Sequence, residues 1–215
     1  MKERTNQHIE RFFEWNPDLI PLREDILQAA ETIIETYRQG GKVLTCGNGG
    51  SSSDCDHIIG ELMKGFLLKR PMRAELARSL EDNYGAAGCE LAMKLQQGLP
   101  AISLTSQSSV ISAFANDVDP ELVYAQQVLG YGKPGDVLIG LSTSGNAKNV
   151  AAAVMMANTL GMHTIGMTGC HGGKLAKLAK QVLYMPKEET YRVQEDHLAI
   201  YHLLCIVVES ELFEF

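Results

Sequence analysis

Short apolar runs alternate with amphipathic segments along the chain. Five runs have the length and the flanking glycines or prolines typical of strands: KVLTC (42–46), LPAISLTS (99–106), VLIGL (137–141), MHTIGMTG (162–169) and QVLYMP (181–186). Helical patterns cover residues 52–67, 108–115, 120–129, 174–180 and 192–213, and a further one ends at 160. Apolar strands that alternate with helices are typical of parallel sheets with crossover helices. We therefore predict a single α/β domain over residues 1–215, with three α/β/α layers and a five-stranded parallel sheet.

Two further helical regions accompany this pattern. Residues 1–40 predict two helices with a break at 16–17. The apolar positions of the second helix share one face: Ile26, Ala29, Ile33, Ile34 and Tyr37. Residues 70–98 also predict helix, with an interruption near 85–88. We expect an N-terminal helical extension and a helical insertion, both belonging to the one domain.

Composition and charge exclude several classes of protein. The 215 residues are 45% hydrophobic and 21% charged, as in one globular domain. A net charge of −7, with Lys and Arg scattered singly, argues against nucleic acid as a partner. Five cysteines without a CxxC pair fit neither a disulfide framework nor a thiolate zinc site. The charged N-terminal segment does not resemble a signal peptide, and no apolar run approaches about 18 residues. We expect a protein of the reducing cytoplasm with no membrane partner.

Two turns rich in hydroxyl groups leave predicted strands and enter predicted helices. They are CGNGGSSS (46–53) and LSTSGN (141–146). In a parallel sheet such turns lie at the carboxyl edge, and each following helix offers N–H groups and its positive dipole end to an anion. Ser, Thr and Asn at these positions also serve as helix N-caps. Two such turns in one domain nevertheless indicate a phosphate site, while the absence of GxGxxG and GxxxxGK[ST] argues against a nucleotide.

His57 and Glu61 share one face of the helix that follows the first turn. Because they are four residues apart, both side chains can reach one ligand. A His–Glu pair at this spacing is more often an ordinary surface pair. Its position just after an anion-binding turn favours a site.

Five motifs in a fixed order carry a resemblance to a known family. CGNGGSSSDCDHIIGEL, ANDVDPELVYAQQV, PGDVLIGLSTSGNAKNV, TGCHGGKL and RVQEDHLAIYH resemble the sugar isomerase (SIS) domain and, within it, the phosphoheptose isomerases. The resemblance spans nearly the whole chain except residues 70–98. It implies the SIS fold, a homotetramer, and an aldose–ketose isomerase for heptose or glycan precursor biosynthesis. The implied reaction converts sedoheptulose 7-phosphate to D-glycero-D-manno-heptose 7-phosphate through an enediol.

The resemblance also assigns roles to matching positions. Glu61 and His202 match the catalytic glutamate and histidine, and an enediol reaction needs such an acid/base pair, often with a metal that polarises the carbonyl. Which of the two removes the proton stays open. One zinc ion per subunit is held in some members at positions that match His57, Glu61, Gln194 and His202. The substrate-binding positions are Asn48, Gly49, Gly50, Ser51, Asp117, Ser142, Thr143, Ser144 and Gln194.

Spacing along the last helix does not select its functional histidine. On an ideal helix His202 lies about 80° from Gln194, whereas His197 lies about 60° away on the other side. Periodicity alone marginally favours His197, and only the resemblance selects His202. His197 is then expected to support the site or an interface, and His163 and His171 are expected to be structural.

The chain departs from the family pattern at four places. Gly65, beside Lys64, stands where the family has an arginine, and Ala147 stands where the second turn usually ends in a hydroxyl. Tyr191 replaces an aspartate, and residues 70–98 include a segment that most members lack. These departures leave the identity of the sugar open. The insertion is expected to form part of a pocket lid or a subunit contact.

Three other functions compete with this prediction. They are an isomerase of another phosphosugar, a sugar-phosphate sensor, and a non-enzymatic replication-initiator-binding protein of the same fold. The initiator-binding branch, which ANDVDPELVYAQQV also resembles, lacks the glutamate and histidine that are present here as Glu61 and His202. An enzyme is therefore favoured. Phe12, Phe13 and Trp15 of the first helix are expected to serve a subunit interface or the core.

Overall fold

The computed structural model describes residues 1–214, and its central sheet confirms the predicted parallel pattern. The strands are β1 (Val43–Cys46), β2 (Ala101–Ser103), β3 (Val137–Ser142), β4 (His163–Thr168) and β5 (Gln181–Tyr184). They pair in parallel in the order β2-β1-β3-β4-β5. Between β1 and β3, Val43 lies opposite Val137 and Cys46 opposite Gly140. This strand order puts the topological switch point, where ligands of such sheets bind, between β1 and β3.

Helices cover both faces of the sheet. Their bounds are α1 (Glu3–Trp15), α2 (Arg23–Arg38), α3 (Gly50–Met63), α4 (Ala74–Tyr84), α5 (Ala86–Lys94), α6 (Ser108–Asp117), α7 (Val123–Tyr131), α8 (Lys148–Thr159), α9 (Leu175–Leu178) and α10 (Thr190–Leu212), with 3₁₀ turns at Pro17–Leu22 and Pro120–Leu122. Helices α1, α2, α3 and α10 pack on one face and α7, α8 and α9 on the other. The three predicted layers are therefore confirmed. None of the helices in residues 1–214 combines the length and apolar character needed to cross a membrane.

The pleat of β3 divides the hydrophobic core between the two faces. Val137, Ile139 and Leu141 pack among α2, α3 and α10, whereas Leu138 packs among α7 and α8. All six residues of β3 are buried. A strand covered on both faces has no polar side, which is why it appears in the sequence as an unbroken apolar run.

The aromatic residues of α1 divide between the core and the surface. Phe13 is buried in the core, and Phe12 is half-buried against it in an edge-to-face contact with Phe13. Trp15 is 74% exposed. Core packing therefore accounts for Phe13, and Trp15 is left on the surface.

Residues 74–94 form a helical hairpin that packs on itself. The chain turns at Gly85, whose φ is 57°, and not at Gly88, which lies inside α5. A β-carbon at Gly88 would lie 1.9 Å from a backbone carbonyl oxygen of α4, so this glycine lets the two helices approach closely. A β-bridge between Pro71 and Gln96 closes the base. Apolar side chains are exposed on the hairpin and just after it: Leu76, Tyr84, Leu91, Met93 and Leu95.

A buried ion pair joins the end of α3 to α10. The Arg70 Nε donates to Glu209 Oε1 at 2.6 Å, and the two side chains are 0% and 1% exposed. The guanidinium also donates to the carbonyl oxygens of Leu62 and Glu61, at 2.7 and 3.2 Å. These are carbonyls of the last turn of a helix, which lack partners within the helix. Arg70 thus fixes the end of α3 against the helix that carries His202.

The segment after α3 explains why this helix ends at Met63 and not at 67 as predicted. Backbone N–H groups of Phe66, Leu67 and Leu68 donate to the Glu209 carboxylate at 2.8, 2.7 and 3.2 Å. If α3 continued to residue 67, these N–H groups would be bonded to carbonyls of the preceding turn and could not bind one carboxylate. The buried charge of Glu209 therefore outweighs the helical pattern of this segment.

His197 of α10 lies in the interior of the protein. The residue is fully buried, and among residues 1–214 neither ring nitrogen has a hydrogen-bond partner. Loss of hydration on burial lowers the pKa of His197 to about 4. The ring is therefore neutral in the folded protein at neutral pH.

We expect Arg70→Met to reduce the free energy of unfolding by about 3–5 kcal/mol, because it leaves a buried carboxylate without its cation. Denaturant unfolding measures the change. The matched control is Arg38→Met, which removes exposed ion pairs with Glu31 and Glu35 and should cost less than about 1 kcal/mol. Equal losses in the two variants would show that the buried pair does not stabilise the fold as argued here.

We expect His197 to destabilise the fold in acid. Its pKa is about 6.5 in the unfolded chain and about 4 when folded, so the unfolded state binds the proton first. The resulting loss of stability begins as the pH falls below 6.5 and reaches about 3 kcal/mol near pH 4. His197→Leu should lose correspondingly less stability than the wild type between pH 7.5 and 4.5 in urea unfolding. The control His163→Gln changes an exposed residue and should lose as much stability as the wild type over this pH range. If His197→Leu also loses as much as the wild type, His197 is not the cause.

Candidate active site

The two hydroxyl-rich turns lie side by side at the carboxyl edge of the sheet. The first follows β1 and the second follows β3, and these strands pair directly. Asn48 of the first turn and Asn149, in the first turn of α8, form reciprocal amide hydrogen bonds of 2.8 and 2.9 Å. The N-termini of α3 and α8 therefore open onto one edge, although the helices run along opposite faces.

Glycines leave the backbone of the first turn uncovered by side chains. Gly49 has φ 56° and ψ −122°, a conformation that only glycine adopts readily, and no atom lies within 4 Å of a β-carbon placed there. At Gly50 a β-carbon would lie 2.4 Å from Gln194 Nε2, so Gln194 of α10 contacts this turn. Ser51 is buried, and the Gly47 carbonyl accepts a 2.7 Å hydrogen bond from a tyrosine hydroxyl, that of Tyr124. The turn is thus open at Gly49 and anchored on either side.

The hydroxyl groups of the second turn also cap the backbone. Ser142 Oγ accepts a hydrogen bond from the Ala147 N–H at 3.4 Å, and Ser144 Oγ accepts one from the Asn146 N–H at 3.2 Å. Ala147, the N-cap of α8, offers no side-chain acceptor, and the Val150 N–H instead donates to Asn149 Oδ1 at 2.9 Å. Because a hydroxyl can accept and donate together, both serines retain a proton to donate to an anion.

The TGCHGG segment braces the second turn. Gly145 has φ 66°, and a β-carbon there would lie 2.0 Å from the carbonyl oxygen of Gly172. The Leu175 N–H donates to the Gly145 carbonyl at 2.8 Å. A cavity of about 260 Å³ lies beside this contact and is lined by Thr143, Ser144, Asn146, Gly169, Cys170, His171, Lys187, Glu188 and Thr190. The glycines of this motif therefore let two loops pack backbone to backbone next to a polar cavity.

Both predicted catalytic residues lie together behind the first turn. Glu61 Oε1 is 3.2 Å from His57 Nε2, and Lys64 Nζ is 3.4 Å from Glu61 Oε2. The rings of His57 and His202 meet edge to face with centroids 4.9 Å apart. Burial lowers the pKa of His202, the neighbouring His57 lowers it further, and Glu61 partly opposes both. His202 is therefore a neutral imidazole at neutral pH, able to accept a proton.

Two residues that the sequence analysis did not single out support His57. Tyr201 Oη lies 2.8 Å from His57 Nδ1, and the Tyr201 hydroxyl also donates to Asp54 Oδ1 at 3.4 Å. Burial raises the pKa of both Tyr201 and Asp54. Helical spacing could have identified Asp54, which shares a face of α3 with His57 and Glu61. Tyr201 has no such signal beyond its position next to His202.

Two candidate residues lie apart from this cluster. His197 is enclosed in the interior, so the histidine of α10 that lies beside His57 is His202. Asp117 is exposed at the end of α6, and its carboxylate accepts a 2.8 Å hydrogen bond from the Asn116 amide. The contacts of Asp117 are thus local, and its role in substrate binding stays a prediction.

The backbone after α3 explains the missing arginine. A β-carbon at Gly65 would lie 2.0 Å from the Leu68 carbonyl oxygen, and the Gly65 N–H donates to Gln96 Oε1 at 2.6 Å. No larger side chain fits this loop. The ammonium group of Lys64 instead supplies the positive charge near Glu61. Tyr191, the other substituted position, is exposed at the start of α10.

The predicted zinc ligands offer a suitable donor set. Imidazole nitrogen and carboxylate oxygen are ordinary zinc ligands, and two ligands at about 2.0 Å from a tetrahedral ion lie about 3.3 Å apart. The His57–Glu61 separation of 3.2 Å matches this value, and the His202 ring lies beside them. Among residues 1–214, the group of His, Cys, Asp or Glu side chains whose three ligand atoms all lie within 4.8 Å of one another is instead the exposed set of Cys170, His171 and Glu188 at the loop edge.

Comparisons with known proteins identify the family of this chain. The model of the SIS domain family matches residues 20–97 and 79–169. The phosphoheptose isomerase of Roseiflexus sp. (strain RS-1) is 40% identical over 189 residues, which are 88% of this chain and 83% of the relative. That of Helicobacter pylori (strain P12) is 39% identical over 188 residues, 87% of this chain and 84% of the relative.

Solved structures give the same result. The phosphoheptose isomerase of Neisseria gonorrhoeae superposes with a TM-score of 0.73 at 32% identity, covering 97% of this chain and 98% of the other. The enzyme of Francisella tularensis has a TM-score of 0.73 at 28% identity, with coverage of 98% and 100%. Fold, motifs and relatives therefore agree, and this chain belongs to the SIS domain family, among the phosphoheptose isomerases.

Proposed function

We propose that the protein is an aldose–ketose isomerase that converts sedoheptulose 7-phosphate to D-glycero-D-manno-heptose 7-phosphate. The observation that carries this proposal is that His57 contacts both Glu61 and His202, on a helix that begins at the first of two hydroxyl-rich turns. An enediol reaction on a phosphorylated sugar needs this combination of an anion site and an acid/base pair. The similarity to phosphoheptose isomerases over most of the chain supports the choice of substrate.

In this proposal the two turns hold the sugar phosphate. The N-termini of α3 and α8 supply positive dipole ends, and the open space at Gly49 lets a phosphate oxygen approach the backbone. Hydroxyl and amide groups add donors without adding charge. The residues that bind substrate are Asn48, Gly49, Gly50, Ser51, Asp117, Ser142, Thr143, Ser144 and Gln194.

Glu61 and His202 move the protons of the reaction. One of them removes the proton from the carbon next to the carbonyl. The other exchanges protons with the substrate oxygens as the enediol forms and breaks down. The buried carboxylate of Glu61 and the neutral ring of His202 both suit a proton acceptor. Lys64 holds a compensating charge near Glu61 while the proton moves.

We propose that His57, Glu61, Gln194 and His202 hold one zinc ion per subunit. When bound, zinc would polarise the sugar carbonyl and stabilise negative charge on its oxygen. The facing His57 and Glu61 atoms support this set of ligands.

The protein is further proposed to act as a homotetramer in the cytoplasm, in heptose or glycan precursor synthesis. A groove of about 450 Å³ between α1 and α10 supports a subunit contact near the site, since His202, Trp15 and Phe66 line it together. The five unpaired cysteines agree with a reducing compartment.

The test is conversion of sedoheptulose 7-phosphate, followed by proton NMR in deuterated buffer with and without added zinc. We expect deuterium incorporation at the carbon next to the carbonyl, and losses of kcat/KM of about 10²–10⁴-fold in Glu61→Gln and His202→Ala. The controls Glu24→Gln and His163→Ala alter exposed side chains far from the site and should retain activity. Full activity in Glu61→Gln would refute the proposed mechanism.

A panel of other phosphosugars belongs in the same experiment, because Gly65 and Tyr191 replace substrate-facing positions of the family. Turnover of a different phosphosugar, lost in the same two variants, would retain the mechanism and change the substrate. Binding of phosphosugars without turnover of any of them would favour a sensor.

A second prediction concerns Gly50. In Gly50→Ala the new methyl group would occupy the position of the Gln194 amide, and the flexible Gln194 side chain must move away. We expect kcat/KM to fall by about tenfold or more, because misplaced substrate-binding groups are costly, with little change in thermal stability. Gly60→Ala, with open space around its β-carbon on the same helix, is the control. Equal activity in the two variants would contradict the proposed role of Gln194.

A further inference from the structure

Behind His57 lies a hydrogen-bonded chain of side chains that the proposed reaction does not use. His57 Nδ1 lies 2.8 Å from the Tyr201 oxygen, and the Tyr201 hydroxyl donates to Asp54 Oδ1 at 3.4 Å. Tyr201 is 1% exposed, so the chain is shielded from solvent at its centre. The other ring nitrogen of His57, Nε2, faces Glu61.

This chain has a direction, because a tyrosine hydroxyl carries a single proton. An ionised carboxylate only accepts hydrogen bonds, so with Asp54 ionised the Tyr201 proton goes to Asp54, 3.4 Å away, although His57 Nδ1 lies nearer at 2.8 Å. The Tyr201 oxygen can then only accept from His57. The His57 proton is then held on Nδ1, and the lone pair of Nε2 faces Glu61 Oε1 at 3.2 Å, an arrangement that a cation between the two atoms would stabilise.

We propose that Tyr201 and Asp54 are positioning residues that fix the Nδ1–H tautomer and the ring orientation of His57, so that Nε2 is available at the reaction centre. The inference rests on the proposed function, because it takes the space between His57 and Glu61 as the metal site. Histidines that bind metals almost always donate their other N–H to an oxygen, and loss of that partner weakens metal binding. The opposite direction, with Tyr201 donating to Nδ1, would place the proton on Nε2 and block the ligand atom.

The ring of Tyr201 strengthens the same assignment. It meets His57 edge to face with centroids 5.4 Å apart, and His202 with centroids 5.0 Å apart. One aromatic side chain thus contacts both imidazoles and sets their separation. Among the described residues, the buried Asp54 Oδ2 has no hydrogen-bond partner. Asp54 is therefore oriented by its contact with Tyr201.

The experiment compares Tyr201→Phe and Asp54→Asn with the control Tyr37→Phe. Tyr37 donates a 3.3 Å hydrogen bond to the Pro100 carbonyl, away from the site, so its variant also removes one hydroxyl. The readouts are the ¹⁵N NMR spectrum of the His57 ring in metal-free protein, assigned with His57→Gln, and zinc affinity in competition with a chelator. Neither readout requires a substrate.

In the wild type and in Tyr37→Phe we expect the proton on Nδ1. Tyr201→Phe removes the acceptor of that proton, and Asp54→Asn lets the new amide donate to the Tyr201 oxygen and turns the tyrosine proton towards Nδ1. Both changes should move the His57 proton to Nε2. Zinc affinity should fall by about 10- to 100-fold in both variants and stay unchanged in Tyr37→Phe.

A wild-type spectrum with the His57 proton on Nε2 would overturn the proposal. It would also be overturned if Tyr201→Phe and Asp54→Asn had the same spectrum and zinc affinity as the control. Asp54→Asn is nearly isosteric and decides the question if Tyr201→Phe does not fold. A wild type that binds no zinc would remove the metal from the proposed function, while the spectrum of the metal-free protein would still test the tautomer. Failure to turn over any phosphosugar would refute the isomerase and leave both readouts unaffected.

Discussion

The buried pair of Arg70 and Glu209 fixes the distance between α3 and α10, the helices that carry Glu61 and His202. Burial of two charges costs several kcal/mol unless their donors and acceptors are satisfied. Here Glu209 accepts from Arg70 and from three backbone N–H groups, and Arg70 covers the last carbonyls of α3. Glu61 lies in that last turn of α3, and His202 lies about two turns before Glu209 on α10. The separation of carboxylate and imidazole therefore depends on an ion pair that touches neither of them.

An acidic protein that binds a phosphate must create its attraction locally. The net charge is −7, so long-range electrostatics repel the substrate proposed here. The two helix N-termini at the switch point act over short distances, and the glycines determine how closely an anion approaches them. The backbone at Gly49 is open, and the absence of a side chain at Gly50 leaves room for Gln194. The absence of one at Gly145 lets the TGCHGG segment pack against the second turn. Close approach of the backbone thus takes the place of a cluster of basic side chains.

The strands, the two turns and the His57–Glu61 pair could be predicted from the sequence, because each depends on residues that are near one another in the chain. Arg70 and Tyr201 could not, since their partners Glu209 and Asp54 lie 139 and 147 positions away. The end of α3 was predicted wrongly for the same reason. The apolar pattern continues past Met63, and the chain leaves the helix because its backbone N–H groups bind the distant Glu209 carboxylate. Spacing also failed to choose between the two histidines of α10. The packing of that helix on α3 and the sheet places His197 in the interior and His202 beside His57.

The α4–α5 hairpin has a consequence for how this protein can diverge. The chain leaves and re-enters the domain at Pro71 and Gln96, which bridge each other, so the ends of the segment stay together whatever lies between them. A change of length there costs little loop entropy and does not shift Glu61 or His202. The length and surface of this segment can therefore vary between relatives while the positions of Glu61 and His202 are kept.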